Sequence, residues 1–248
     1  MEERKKGIAG SVLKWIALVS MLIDHSAAVL IEEGRWYVEF SSYTDSIPGL
    51  WTDTALRLIG RLAFPIFCFL LVEGYLHTRS RKKYFLRLLL FGLLSEIPFD
   101  LAFRHSVLEF GYQNVYFTLL LGMLSMMLWD WVTRGSFSDC AVWRKLAALP
   151  AAALPVGLAF LARTDYSGYG VLLILVLYLL RSRAVLRDLA AGAVVLGASP
   201  MEIGSWPALA LFHFYNGERG RQSKYLFYLF YPVHLALLVL LRYALYGV

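Results

Sequence analysis

The sequence predicts an all-α protein, a polytopic transmembrane bundle of about nine helices with its N-terminus on the cytoplasmic side. Of its 248 residues, 59% are hydrophobic and 17% are charged, whereas about a quarter of the residues of a soluble domain carry charge. The apolar residues come in blocks close to the roughly 20 residues that a helix needs to cross the hydrocarbon layer. Tryptophan and tyrosine gather at the block edges, as they do at membrane interfaces.

The apolar blocks divide the chain into spans that together form one transmembrane domain, residues 1–248. The first span contains "MLIDHSAAVL", and its charged pair indicates an uncleaved helix rather than a signal peptide. Spans six to eight are short for a simple crossing, so we expect one of them to be tilted, broken or re-entrant. In order, the predicted spans are 11–31, 54–77, 84–103, 115–133, 144–162, 169–182, 185–199, 201–214 and 225–246.

Basic residues predict the orientation of these spans. The N-terminal segment and every second gap are rich in lysine and arginine, whereas the gap between the first two spans is acidic. Because short cytoplasmic loops carry the excess of cations, the N-terminus is predicted inside and the C-terminus outside. The net charge of +6 is therefore explained by the cations of the cytoplasmic loops and their contact with a lipid bilayer. We expect the bilayer as a partner and no nucleic acid.

Ionisable residues lie at a common depth in three of the predicted spans. At a rise of about 1.5 Å per residue, all of them fall in the outer half of the membrane. Each costs a few kcal/mol in hydrocarbon, so opposite charges are expected to face one another inside the bundle. They form either structural ion pairs or a polar cavity for catalysis or transport. This charged layer consists of Asp24, His25, Arg57, Arg61, Glu96 and Asp100.

His25 is the candidate for proton transfer within the charged layer, because imidazole takes and returns a proton near neutral pH. Its neighbour Asp24 points about 100° away on a helix, so an acid of the third span is better placed to orient the ring. Asp24 is instead expected to meet Arg57 or Arg61. His234, which follows Pro232 in the last span, suits packing and function equally well.

Two basic loops on the predicted cytoplasmic side are candidates for phosphate binding. Cations and backbone amides in a flexible loop hold phosphates, although the same cations also serve as a topology signal and attract anionic lipid. The sequence has no spacing typical of a metal site, a phosphate-binding glycine loop or a nucleophile elbow. The candidate residues are Arg79, Arg81, Lys82, Lys83, Arg219, Arg221 and Lys224.

Several longer stretches resemble the TraX family of membrane proteins, in the right order and over nearly the whole chain. The founding members of this family acetylate the N-terminus of conjugative pilin with acetyl-CoA, and the family is similar to other multi-span acyltransferases. The resemblance implies a bacterial cytoplasmic (inner) membrane protein that takes acetyl-CoA from the cytoplasm. The matching stretches are "MLIDH", "GRLAFPIFCFLLVEGYLHTRSRKKYFLRLLLFGLLSEIPFDLAF", "NVYFTLLLGML", "DYSGYGVLL", "FHFYNGERG" and "KYLFYLFYPVHLALL".

The resemblance also implies residue roles. The basic loops would hold the diphosphate of acetyl-CoA. His25 would take a proton from an extracytoplasmic acceptor: a peptide N-terminal amine, a glycan hydroxyl or a small molecule. His234 is the alternative base, or the carrier of the acetyl group. The supporting residues are Glu96 or Asp100 to orient His25, Arg57 or Arg61 to anchor Asp24 or stabilise the oxyanion, and Asn114, Thr118 and Asp165 to bind the acceptor.

Two other classes of protein account for the same buried charges. A proton- or ion-coupled transporter would place a charged layer inside its bundle without needing a coenzyme. A purely structural membrane subunit would tolerate the loss of those charges. Turnover of acetyl-CoA would distinguish an acetyltransferase from both of these classes.

Overall fold

The computed structural model describes residues 7–36, 47–135, 141–221 and 224–247. Over these ranges the protein is helical and has no β-strand beyond two isolated bridges, in agreement with the predicted all-α class. The basic segment that precedes Gly7 and most of the acidic gap before the second span lie outside the described residues.

The helices follow one another with short connections. After α1 the chain continues directly into a π-helix, and two short 3₁₀-helices flank α9. The bounds are α1 Gly10–Ser26, the π-helix Ala27–Trp36, α2 Ile47–Gly60, α3 Ala63–His77, α4 Arg81–Phe103, α5 Val115–Arg134, α6 Ala141–Leu161, α7 Ser167–Leu179, α8 Ala184–Ala198, a 3₁₀-helix Pro200–Ser205, α9 Trp206–Leu211, a 3₁₀-helix Phe212–Phe214 and α10 Lys224–Tyr246.

Five helical stretches among the described residues are long and apolar enough to cross a membrane. They coincide with predicted spans one, two, four, five and nine, and α7 is a shorter apolar helix. The protein is therefore a multi-pass membrane protein, while the total of nine spans and the orientation stay predictions. The five stretches are Gly10–Gly34, Leu50–His77, Val115–Arg134, Ala141–Leu161 and Tyr225–Tyr246.

The second of these stretches contains a break. α2 ends at Gly60 and α3 begins at Ala63, with a turn at Arg61 and Leu62. Pro65 has no N–H to donate to the carbonyl of Arg61, so an uninterrupted ladder of helical hydrogen bonds cannot run through the junction. The predicted continuous second span is therefore two helices.

The predicted eighth span, 201–214, does not form one helix either. Its longest α-helical piece, α9, has six residues. Pro200 and Pro207 both lack an N–H and favour helix starts over helix interiors. Gly204 fits where it does because a methyl group there would lie 2.5 Å from the carbonyl oxygen of Leu58. This is the broken segment that the sequence predicts among spans six to eight.

The chain forms two compact units that are interleaved in sequence. The first contains Met1–Phe67, Leu94–Glu109 and Pro200–Val248, and the second contains Cys68–Leu93 and Phe110–Ser199. In the first unit α1 packs against α2 and α10, and in the second α6, α7 and α5 pack together. Every residue of the charged layer, together with His234, belongs to the first unit.

Candidate active site

Two histidines from opposite ends of the chain form the centre of the candidate site. His25 on α1 and His234 on α10 are 209 positions apart, yet Nδ1 of His25 lies 2.7 Å from Nε2 of His234. Their rings are nearly parallel, with an interplanar angle of 7°. On its other side, Nδ1 of His234 lies 2.7 Å from the carbonyl oxygen of Phe230. The sequence indicated each histidine but not their contact.

Aromatic rings enclose this histidine pair. Phe103 and Tyr231 approach the His25 ring edge to face, with centroids 5.6 and 5.8 Å away. Phe230 stacks on His234 at 4.8 Å. His234 is buried, with 5% of its surface exposed. Because such a lining lowers the local dielectric, the hydrogen bonds within the pair are stronger than they would be in water.

The backbone changes its helical form directly after His25. α1 ends at Ser26 and the π-helix begins at Ala27. Each π-helical turn takes up an extra residue, and such turns are rare and concentrate at functional sites. The change of pitch brings Glu32, a later residue of the π-helix, to the same arginine that Asp24 binds.

That arginine is Arg57 of α2, which links two carboxylates. Its Nη1 lies 2.7 Å from Oδ2 of Asp24, and its Nε lies 3.1 Å from Oε1 of Glu32. The predicted meeting of Asp24 with an arginine of the second span is thus confirmed. Gly60 makes room for it, because a methyl group at that position would overlap the Asp24 side chain.

Arg61 has a different acidic partner, since it lies in the turn beyond the end of α2. Its Nη1 is 3.2 Å from Oε1 of Glu202, which is buried in the 3₁₀-helix that follows α8. The Ser205 hydroxyl lies 2.7 Å from Oε2 of Glu202 and 3.1 Å from the carbonyl oxygen of Arg61, and its single proton is donated to one of them or shared between both. Sequence reasoning missed both Glu202 and Ser205. Glu202 lies at the outer edge of the predicted eighth span, so depth matching could have found it.

The acids of the predicted third span lie on α4 and are also buried. Glu96 is 9% exposed and Asp100 is fully buried. Asp100 accepts the backbone N–H of Glu109 at 2.8 Å and so closes the turn after α4. The sequence predicted that Glu96 or Asp100 orients His25, and this stays a prediction. The hydrogen bond that the structure describes at the His25 ring is with His234.

Metal ligation does not account for this concentration of polar groups. Across the described parts of the chain, no group of three or more histidine, cysteine, aspartate or glutamate side chains is arranged to hold a metal ion. Asp24 and Glu32 are instead paired with Arg57, and Glu202 is paired with Arg61. The site is therefore an arrangement of ion pairs around a histidine pair.

In the second unit, Asp130 of α5 accepts hydrogen bonds from several neighbours. Nη1 of Arg81 lies 2.7 Å from Oδ2, the hydroxyl of Tyr75 donates to the same oxygen at 3.0 Å, and the hydroxyl of Tyr178 donates to Oδ1. Arg134 adds a further contact at 3.3 Å. Arg81, predicted as a phosphate ligand, therefore has its charge matched by a buried carboxylate, whereas Arg79, Lys82 and Lys83 are exposed.

The second basic loop folds over the start of α1 in the first unit. The carbonyl oxygens of Glu218 and Arg219 accept the N–H groups of Gly10 and Ser11 at 2.8 and 3.0 Å. Gly220, with a φ of +69°, approaches Ser11 so closely that a methyl group there would overlap its hydroxyl. The side chains of Arg219 and Arg221 are exposed, and Lys224 begins α10.

The predicted acceptor-binding residues belong to the second unit and form a tight loop contact. Asn114 caps α5 by accepting the N–H of Tyr116 at 2.9 Å and donates to the carbonyl of Gly92 at 2.8 Å. Thr118 donates to the carbonyl oxygen of Asp165. Each described contact is structural, so the geometry gives these residues a role in holding the loop.

Comparisons with known proteins agree with the resemblance seen in the sequence. The profile of a family described as "TraX protein" matches residues 9–242. A relative from Dichelobacter nodosus, described as "Probable fimbrial assembly protein FimC, serogroup H1", is 34% identical over 254 residues. That alignment covers 91% of this chain and 92% of the relative. No solved structure gives a significant match.

Proposed function

The chain belongs to the TraX family, and on that premise we propose that it is a membrane-embedded acetyltransferase. It transfers the acetyl group of cytoplasmic acetyl-CoA to an acceptor on the extracytoplasmic side. The Dichelobacter nodosus relative is described as a probable fimbrial assembly protein, which supports the N-terminal amine of a fimbrial subunit as the acceptor. A glycan hydroxyl or a small amine would follow the same chemistry.

The observation that carries the proposal is the chain of hydrogen bonds from Phe230 through His234 to His25. A backbone carbonyl only accepts, so Nδ1 of His234 carries the proton between them. Neutral His234 then has a lone pair on Nε2 and accepts from Nδ1 of His25. Neutral His25 is left with an unprotonated Nε2, which is the form that a general base requires.

In the proposed reaction, Nε2 of His25 removes a proton from the acceptor amine as the amine nitrogen attacks the thioester carbonyl. A C–N bond forms and the C–S bond breaks. The departing thiolate takes the proton back from His25. The imidazolium that exists in between is stabilised by its hydrogen bond to His234. Base catalysis of this kind contributes about 10²- to 10⁴-fold in rate.

Arg57 and Arg61 supply the positive charge that stabilises the oxyanion of the tetrahedral intermediate. Arg57 lies next to the His25 segment of α1, because its Nη1 is 3.5 Å from the carbonyl oxygen of Asp24. Arg57 is fixed by Asp24 and Arg61 by Glu202. Cations held in position before the reaction need no reorganisation when negative charge develops. Asp24 and Glu202 are thus positioning residues, whereas His25 is the catalytic residue.

The phosphates of acetyl-CoA bind the exposed cations of the basic loops. Guanidinium and ammonium groups form charge-assisted hydrogen bonds to phosphate oxygens. Asp130 competes for Arg81, so the remaining members of each loop carry this role. They are Arg79, Lys82 and Lys83 of the second unit, and Arg219 and Arg221 of the first. Lys224, the remaining candidate, begins α10.

The test uses purified protein in detergent with acetyl-CoA and a synthetic peptide whose N-terminus is free. Release of free thiol is followed over time, and the acetylated peptide is identified by mass. We expect His25→Ala to lower the rate at least about 100-fold while His213→Ala, on an exposed histidine of the same unit, keeps it. A peptide with a blocked N-terminus should give no turnover.

Wild-type turnover by His25→Ala would contradict the assigned base. If no amine or hydroxyl acceptor released thiol, the enzyme proposal would be wrong. Solute accumulation driven by a proton gradient in reconstituted liposomes would then identify the protein as a transporter.

A further inference from the structure

Arg87 lies on α4, in the predicted third span, and takes part in neither the candidate active site nor the cluster around Asp130. α4 begins at Arg81, so at about 1.5 Å per residue Arg87 lies roughly 9 Å along the helix. Its Nε atom is buried and donates no hydrogen bond within the part of the chain that the structure describes, and no described carboxylate pairs with it. Because an unsatisfied buried donor costs free energy, Arg87 is a candidate for binding an anion from outside the chain.

Lys83 and Tyr84 lie one turn before Arg87 and flank its side chain. Lys83 is four positions earlier on α4, so the two cations share a face of the helix, and Lys83 is exposed. Among the described residues, Lys83 has no acidic partner either. The guanidinium carbon of Arg87 is 5.5 Å from the centre of the Tyr84 ring. Two like charges four positions apart on a helix repel each other, so an anion bound between them would stabilise the pair.

Gly74 of α3 lets the Tyr84 ring approach closely. A methyl group at Gly74 would lie 2.9 Å from the hydroxyl oxygen of Tyr84 and 3.0 Å from its Cε1. The ring therefore rests against α3, and its cation–π contact supports the guanidinium of Arg87. All three residues belong to the second unit. The place of Arg87 is thus determined by packing between two helices of one unit.

Beyond the two cations, α4 presents an exposed leucine face, formed by Leu86, Leu90 and Leu93. These side chains expose 50, 52 and 58% of their surfaces. They are three or four positions apart and follow Lys83 at the same spacing, so they continue the face on which the cations lie. An exposed apolar patch on a multi-pass protein contacts lipid acyl chains. Long cationic side chains at the end of such a face reach the phosphates of the lipid headgroups.

We propose that Lys83 and Arg87 bind the phosphate of an anionic phospholipid, whose acyl chain lies along the exposed leucine face. The fork of Arg87 binds two phosphate oxygens, and the ammonium of Lys83 adds a point charge. The predicted orientation places this end of α4 at the cytoplasmic leaflet. The inference goes beyond the acetyltransferase proposal and does not rest on it. Lys83 is a candidate in both, so Arg87, which is a candidate only here, separates the two.

The experiment measures binding of short-chain phosphatidylglycerol to the purified full-length protein in a neutral detergent by calorimetry. Phosphatidylcholine of the same chain length is the comparison without net charge. Arg87→Gln and Lys83→Gln are each expected to weaken phosphatidylglycerol binding about tenfold, since one charge-assisted contact is lost. Arg87→Lys keeps the charge but not the fork, so it should lose only part of the affinity.

Arg183→Gln is the matched control, on an exposed arginine directly before α8, and should bind as wild type does. Lys83 is exposed, so its variant tests the site even if Arg87→Gln does not fold. Coenzyme A is added as a competitor that carries phosphate without an acyl chain of a lipid. Thiol release from acetyl-CoA, measured without added lipid, tests the proposed function separately.

Phosphatidylglycerol binding that depends on Arg87 and Lys83 and that coenzyme A does not displace supports the inference. Unchanged affinity in both variants overturns it, as does equal affinity of the wild type for phosphatidylcholine. Equal weakening by Arg183→Gln would reveal a general effect of surface charge and overturn it as well. If coenzyme A displaces the lipid and its own binding falls in Arg87→Gln, the phosphate site belongs to the coenzyme and the lipid proposal is wrong.

Discussion

The hydrogen bonds around His25 and His234 give the two histidines different roles. His234 is fixed by the carbonyl of Phe230, so its remaining nitrogen accepts from His25. His25 lies at the far end of that series of hydrogen bonds, and its second ring nitrogen, Nε2, carries a lone pair. A backbone carbonyl thereby determines the tautomer of a side chain two hydrogen bonds away.

His234→Ala tests this division of duties. The base stays in place but loses the acceptor that fixes its tautomer, so we expect kcat to fall about 10- to 100-fold while the KM for acetyl-CoA is unchanged. Added imidazole should restore part of the rate by filling the space. A loss as large as that of His25→Ala, with no rescue by imidazole, would instead make His234 the base.

Gly60→Ala tests the close approach of α2 to Asp24. The added methyl group overlaps the Asp24 side chain, so we expect a loss of about 1–3 kcal/mol in the free energy of unfolding, measured by thermal unfolding in detergent. Gly157→Ala is the matched control, because nothing lies within 4 Å of a methyl group there. It should be neutral or slightly stabilising. Equal destabilisation of both variants would contradict the contact.

Among the elements, the 3₁₀-helix Pro200–Ser205 is the one that completes the charged layer. It brings Glu202 to Arg61, and Ser205 contacts the carbonyl oxygen of Arg61. Gly204 has no side chain and therefore allows the close approach to Leu58. Its six residues replace part of a predicted membrane crossing. A short segment that does not span the membrane thus supplies a charged partner at the end of α2.

A double-mutant cycle on Arg61→Met and Glu202→Gln measures this docking. Both side chains are mostly buried, so we expect a coupling of about 1–3 kcal/mol in the free energy of unfolding. The pair Arg104 and Glu109, which is 4.0 Å apart and exposed, serves as control and should show a coupling near zero. Similar couplings in both cycles would contradict the assigned role.

The cluster around Asp130 makes a separate prediction for the second unit. Asp130→Ala leaves Arg81, Tyr75 and Tyr178 without their shared acceptor and should destabilise the protein by about 3 kcal/mol. Tyr178→Phe removes one donor and should cost about 1 kcal/mol. Denaturant unfolding in detergent checks both values. Near-wild-type stability of Asp130→Ala would show that the cluster does not hold its helices together.

Sequence patterns predicted some of these elements better than others. Long apolar blocks predicted α1, α5, α6 and α10, because hydropathy over a full crossing is a strong signal. The break at Arg61 was missed, since Pro65 stands in an otherwise continuous apolar run. Charge matching predicted the partner of Asp24, but the pairing of His25 with His234 depends on packing between the first and last helices. No local pattern reports such a distant contact.

At the scale of the whole molecule, the orientation in the membrane is open to direct measurement. The proposal requires the N-terminal end of α1 and the basic loops to face the cytoplasm. A cysteine introduced at Ser106, after α4, should react with a membrane-impermeant maleimide in intact cells. A cysteine at Glu218 should react only after permeabilisation. The reversed pattern would invert the topology and, with it, the side from which acetyl-CoA enters.

The interleaving of the two units has a consequence for how the protein is made. The first unit takes its parts from the beginning, the middle and the end of the chain, so His25 leaves the ribosome about 200 residues before His234 exists. Until α10 is inserted, α1 remains a polar-faced helix without its final neighbour. A nascent chain released before α10 would therefore present that unfinished surface to membrane quality-control proteases, whereas the second unit would already be assembled.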